Sequence, residues 1–213
     1  MKSIISRLCA LLLFVSLFAC NNSNSKVNKI ELIQGGKTYG GKVRFVSDEN
    51  VTNLFPLGAI DKYSTRIASQ IFEGLLKIDG STLELLPAIA ESFTVNADGD
   101  KYTFTIRKDV YFHKDDCFSD GTRLLTADDV KFALDFACSG SSLVIPDFSF
   151  IDQVKGGRDY YSNGGKSSQG VEGINVKGNV VEISLEQPFI GFENVVAKSS
   201  FKIFPKEALD RYG

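Results

Sequence analysis

Histidine is nearly absent from this chain: one residue, His113, in 213. That scarcity leaves no Cys/His set at zinc-binding spacing and His113 as the sole near-neutral base. Neither G-x-S-x-G nor H-E-x-x-H occurs, so the usual signatures of a nucleophilic or zinc hydrolase are missing. Asp115-Asp116 and Asp128-Asp129 are paired acids, but loop solvation and helix-start electrostatics explain them better than acid–base chemistry. Internal repeats and low-complexity stalks are lacking as well, which disfavours an adhesive or purely structural rod. An excess of positive charge is also missing. The chain carries 24 basic and 26 acidic residues, which gives no electrostatic reason to bind nucleic acid. His113, between Phe112 and Lys114, is expected to be packed or hydrogen-bonded in a structural role.

The one long apolar run, Leu8 to Ala19, is too short to span a bilayer and follows Lys2 and Arg7, so residues 1–19 read as a secretory signal. Leu17-Phe18-Ala19-Cys20 resembles a lipobox, in which Cys20 is acylated and becomes the new N-terminus; ordinary cleavage near Ala19 is the alternative, and both readings export the protein. Removing Lys2 and Arg7 leaves 22 basic against 26 acidic residues, a balance of −4. Residues 20–40 read as a lipid-anchored flexible tether, because Asn21 to Asn28 has almost nothing apolar to bury. Of four cysteines, Cys9 leaves with the signal and Cys20 takes lipid. Cys117 and Cys138 remain, either bridged in an oxidising compartment or as two unpaired thiols.

The body, 41–213, mixes helical and strand periods. Gly40-Gly41 followed by alternation over Lys42–Val46 predicts a first strand. Ser64 is a candidate cap for a helix whose face is Ala68, Ile71, Phe72 and Leu75. Asp79-Gly80 predicts a hairpin turn. A further turn at Asn96–Asp100 leads into a strand with Tyr102, Phe104 and Ile106 on one face. Thr126-Ala127-Asp128-Asp129 has the Thr-x-x-acid form of a helix start, with Val130, Ala133, Leu134 and Ala137 facing inward. Gly164-Gly165-Lys166-Ser167 lacks the earlier glycine and the following apolar helix of a phosphate loop. A last hairpin turns at Lys177-Gly178-Asn179, and Pro205 starts a short helix.

Five blocks carry a resemblance. They are Glu73-Gly74-Leu75, Pro87-Ala88-Ile89-Ala90-Glu91-Ser92-Phe93, Asp98-Gly99-Asp100-Lys101-Tyr102-Thr103-Phe104-Thr105-Ile106-Arg107, Phe112-His113 and Thr126-Ala127-Asp128-Asp129-Val130. In this order and spacing they resemble the peptide-binding family of extracytoplasmic solute-binding proteins that serve ABC importers. The resemblance runs from about Val43 to Gly213. It implies a mixed α/β fold, the first lobe and accessory subdomain of a periplasmic-binding-protein type II architecture, with the second lobe absent from this chain. The chain thus reads as a fragment or truncated product of a longer receptor. It implies capture of a peptide or other small solute without chemistry and delivery to a membrane permease; nickel, haem and oligosaccharide binders share the fold, but one histidine gives no positive case for metal capture, and no cofactor is expected. By position, Asn50, Val51 and Thr52 would offer backbone groups to an extended ligand. The alternative is a truncated or structural cell-envelope lipoprotein without solute binding.

Overall fold

The computed structural model describes residues 31–33, 37–42, 44, 46–59 and 61–213. The chain divides into two units, Met1–Val46 and Ser47–Gly213. In the first unit, β1 (Glu31–Ile33) and β2 (Lys37–Tyr39) pair antiparallel with Leu32 opposite Thr38. The strand expected over Lys42–Val46 is not found: Lys42, Arg44 and Val46 lie outside any strand, and Val43 and Phe45 lie outside the described residues. Alternation without a pairing partner does not make a strand.

The second unit is built on a four-stranded antiparallel sheet in the order β5 (Ala90–Val95), β6 (Lys101–Ile106), β8 (Val180–Ser184), β7 (Ile174–Lys177). Period-2 alternation puts Tyr102, Phe104 and Ile106 of β6 and Val181 and Ile183 of β8 on one buried face. On the other, Lys101 and Glu182 pair at 3.3 Å. Helix α2 (Ala127–Ala137) covers the apolar face with Val130, Ala133, Leu134 and Ala137, all buried as their spacing predicts. Its Thr-x-x-acid start is realised: the Asp129 carboxylate accepts from the Thr126 N–H at 2.8 Å and from its hydroxyl at 2.9 Å. Beyond β6, Tyr102 packs on Phe192, and Phe150 on Phe192 and Phe201. These contacts tie α3 (Phe148–Ile151) and α5 (Phe192–Val196) to the sheet. Helix α4 (Gly157–Ser162) starts where a Cβ on Gly157 would lie 2.3 Å from the Ile151 carbonyl oxygen, so only glycine fits.

The expected hairpin forms from β3 (Leu76–Ile78) and β4 (Leu85–Pro87). Its turn is longer than Asp79-Gly80 alone, and the left-handed residue in it is Leu83, at φ 62°. Helix α1 (Lys62–Ile71) ends before Leu75 and leaves Ile71 exposed, so only part of its expected inward face is buried.

Helix α6 (Lys206–Tyr212) is fixed to α2 by one guanidinium. Arg123 donates from Nε and Nη2 to Glu207 at 2.6 and 2.7 Å, and from Nη1 and Nη2 to Asp129 at 2.8 and 2.6 Å. Its remaining N–H meets the Leu124 carbonyl at 3.1 Å, which places all five of its donors. The cation also lies over Phe112 and Phe118, which stack on each other. Arg123 holds the Glu207 carboxyl below the usual range. Asp129 is a buried acid, so removing its partner leaves a carboxylate without countercharge. Arg123→Met is expected to cost about 3–5 kcal/mol in urea unfolding, and adding Asp129→Asn to recover part of that loss.

Candidate functional site

The loop from Ser47 to Gly58 is held on α1 by three side chains at the helix start, Asp61, Tyr63 and Ser64. Asp61 is the N-cap of α1: its carboxylate accepts from the Tyr63 and Ser64 N–H groups at 3.0 and 2.8 Å. It also accepts from the Thr52 hydroxyl at 2.8 Å. Ser64 is therefore not the cap but a residue of the first turn, and its buried hydroxyl does something else. It accepts from the main-chain N–H of Thr52 at 3.1 Å and of Asn53 at 3.2 Å. Tyr63 donates its hydroxyl to Asp48 at the loop's near end. Asn53 closes the far end by accepting from the Phe55 N–H at 2.8 Å. Phe55 then inserts edge-on against Phe136 and Phe204, and Leu57 accepts from the Ile145 N–H at 2.9 Å.

Between these anchors Asn50 and Val51 are exposed, outside any helix or strand, and their main-chain N–H groups have no partner among the described residues. Thr52 differs from its two neighbours. Its N–H and hydroxyl are both spent on α1, so of the expected trio Asn50 and Val51 present free main-chain donors while Thr52 pins them. A pinned segment with unpaired main-chain groups can add hydrogen bonds to a second chain, as an unpaired strand edge does. Sequence reasoning missed Asp61 and the Tyr63–Asp48 bond, and gave Ser64 the wrong role. The signal was there in Asp61-x-x-Ser64, a capping acid three residues before the residue taken for the cap.

Hydrogen bonds from Ser64 and Thr52 hold the Asp61 carboxyl down at about 2, and the Tyr63 hydroxyl lowers Asp48. A lowered folded pKa contributes stability that is complete above the ordinary value and lost as pH falls through the folded one. The loop's hold on α1 therefore weakens between about pH 4 and pH 2.

Cys117 and Cys138 are both free thiols, contrary to the bridge reading. Cys138 is buried at the C-terminal end of α2, whereas the Cys117 loop packs toward α6 and the Arg123 end. An 11-residue helix is roughly 16 Å long, well beyond disulfide reach. Burial, and then the Asp135 charge, push the Cys138 thiol up to about 12. Burial and Asp115 raise Cys117 too, so both are poor nucleophiles at neutral pH. His113 is exposed rather than packed.

A second depression, about 610 Å³, lies between α2 and the 163–170 loop. Its charges are self-satisfied. Lys131 pairs with Asp135 at 2.9 Å and donates to the Ile174 carbonyl at 2.8 Å, while Asp135 accepts from the Val171 N–H at 3.0 Å. A Cβ on Gly170 would stand 2.0 Å from the Asp135 carboxylate, and one on Gly165 2.8 Å from the Ser139 Cβ, so these two glycines serve packing. At Ser149, the neighbouring Lys198 is bound to Asp147 at 3.0 Å and donates to the Ser149 hydroxyl. Among the described residues no three metal-ligating side chains converge, and no helix is long and apolar enough to cross a membrane. Cys20 and residues 1–30 lie outside the described residues.

The unit is a sheet covered by helices, with a pinned loop on which two main-chain donors have no partner among the described residues. The chain belongs to the bacterial extracellular solute-binding proteins, family 5, whose middle-region model matches residues 84–212. It is 31% identical over 209 residues to the dipeptide-binding protein DppE of Bacillus subtilis, covering 95% of this chain and 35% of that protein. It is 29% identical over 164 residues to the glutathione-binding protein GsiB of Escherichia coli, covering 77% and 27%. The substrate-binding domain of an oligopeptide ABC transporter from Bacillus anthracis superposes with TM-score 0.65 at 26% identity, over 79% of this chain and 31% of that one. The E. coli murein tripeptide-binding protein MppA shares the fold, with TM-score 0.64 at 20% identity, over 79% and 31%. The fold is thus part of the periplasmic-binding-protein type II architecture, and the chain spans about a third of the length of the relatives it matches.

The Ser64 hydroxyl tests the site's construction. Ser64→Ala should speed hydrogen exchange at the Thr52 and Asn53 amides and cost about 1–2 kcal/mol, with exchange in β6 and β8 ordered as before.

Proposed function

We propose that this chain is the solute-receiving part of an extracytoplasmic ABC-importer binding protein that captures peptides, or a related small solute, and passes them to a membrane permease. It does no chemistry on them. The observation that carries this reading is the pair of main-chain N–H groups of Asn50 and Val51 without a partner among the described residues, next to Thr52 and Asn53, which Ser64 and Asp61 hold. An extended peptide can pair with such groups whatever its side chains are, which suits a receptor for many sequences. The relatives support the solute class, being dipeptide-, glutathione- and oligopeptide-binding proteins by name.

A second lobe, of the kind the longer relatives have room for, would close over the rim and supply the remaining contacts, with closure driven by interactions formed only in the closed state. Residues 1–19 act as the export signal, and Cys20 carries the lipid that anchors the protein at the cell envelope. The tether expected over 20–40 is shortened by the strands Glu31–Ile33 and Lys37–Tyr39; the polar stretch Asn21 to Asn28 lets the body range near the permease.

The test is the melting temperature of the protein with and without a mixture of short peptides. At a peptide concentration of 100 times Kd, binding adds about 2.7 kcal/mol. For a domain of this size that is a rise of roughly 5–10 °C. A structural lipoprotein would melt at the same temperature with or without peptide.

A further inference from the structure

The depression of about 610 Å³ between α2 and the 163–170 loop is lined by no residue of the Ser47–Gly58 loop. Along α2, Lys131, Phe132, Asp135 and Phe136 fall at i, i+1, i+4 and i+5, one face of the helix, and all four line the groove. Tyr160 of α4 and Ser168 and Gln169 of the loop line it too.

Pairing does not exhaust these groups. Lys131 has three N–H donors and gives one to Asp135 at 2.9 Å and one to the Ile174 carbonyl at 2.8 Å, so one is left. Asp135 accepts on Oδ2 from Lys131 and on Oδ1 from the Val171 N–H at 3.0 Å, so each oxygen keeps a lone pair. The Tyr160 hydroxyl and the Ser168 and Gln169 side chains face the groove and make no hydrogen bond among the described residues. Burial, then the nearby Asp135 and Cys138, raise the Tyr160 phenol above its ordinary value, so it stays a donor.

This lining limits what fits. An anion drawn to Lys131 meets Asp135 beside it, and a cation drawn to Asp135 meets Lys131, so net charge on the ligand gains little. Lys206, which also lines the groove, is paired with Asp210. An apolar ligand would cover the unused donors and acceptors without replacing their water. A saccharide meets both demands. Each of its hydroxyls donates and accepts, so of two vicinal hydroxyls one can take the spare Lys131 N–H while the other gives to Asp135. Its C–H face can lie against the half-buried rings of Phe132 and Phe136, which stack at 6.1 Å.

We propose that this groove is a binding site for a neutral saccharide, with Lys131 and Asp135 together holding a vicinal pair of hydroxyls. It does not depend on the peptide reading. Such a ligand reaches an exported protein either as a free sugar or as the glycan of the cell envelope.

The test is titration of the labelled full chain with maltose, cellobiose and N,N′-diacetylchitobiose, followed by backbone amide signals, with glycerol as the control. At least one disaccharide should shift the Ser168, Gln169 and Gly170 amides saturably, with Kd about 1 mM or tighter. Preference for maltose or cellobiose points to the free sugar, and preference for the N-acetylated disaccharide to the envelope glycan. Asp135→Asn should weaken binding about tenfold or more. Because that change also touches the hold on Val171, two milder variants accompany it. Tyr160→Phe and Gln169→Ala remove groups that hold nothing in the free protein, so each should weaken binding about 3- to 10-fold at an unchanged melting temperature. No saturable shift from any disaccharide overturns the proposal. So do shifts that glycerol reproduces, shifts confined to residues outside the groove, and undiminished affinity in both Tyr160→Phe and Gln169→Ala.

Discussion

Three distant segments of the chain cross at Gly74, and the crossing has no room for a side chain. A Cβ there would lie 2.8 Å from the Phe201 carbonyl oxygen. On one side the Gly74 and Leu75 carbonyls accept from Ile89 and Ala90, which lead into β5; on the other, Glu73 accepts from Ile203. Ile89 in turn accepts from Arg107 as the chain leaves β6. The end of α1, the start of the sheet and the apolar run before α6 are thereby held to one another through main-chain bonds, which tolerate no displacement by bulk. The same crossing pairs the Lys202 main chain with Gly74 and buries Lys202.

The Ser47–Gly58 loop depends on that framework one step removed. Helix α1 enters the crossing at its C-terminal end, and its N-terminal end carries Asp61, Tyr63 and Ser64, which fix the loop. Fixing the loop before a ligand arrives lowers the ordering cost of binding. Residues 50 and 51 are left open and Thr52 and Asn53 are tied, so rigidity and availability alternate within four residues. Arg123 does the corresponding work at the far edge, locking α6 to the start of α2 and the Cys117 loop beneath it.

The sheet was legible in the sequence because its signal is local. Tyr102, Phe104 and Ile106 alternate, and Val181 and Ile183 do the same, so the pattern alone named the buried face. Helix α2 was equally plain from Thr126, Asp129 and the spacing of Val130 to Ala137. What could not be read were choices made by partners far away in the chain. Lys42–Val46 alternates as a strand would, but no strand pairs with its described residues. Ser64 looks like a cap, yet Asp61 holds that place and frees the Ser64 hydroxyl for a loop 12 residues earlier. Cys117 and Cys138 look like a pair by count, but α2 stands between them. The role of Gly74 was visible only as part of a block, with Phe201, its reason, 127 positions on.

The most direct test is a peptide titration followed by the backbone amide signals of the labelled protein. If the rim is the receiving surface, the Asn50 and Val51 amides shift first and furthest, while Thr52 and Asn53, already bonded to Ser64, move less. Perturbations confined to the groove between α2 and the 163–170 loop, with Asn50 and Val51 unmoved at saturation, would contradict it.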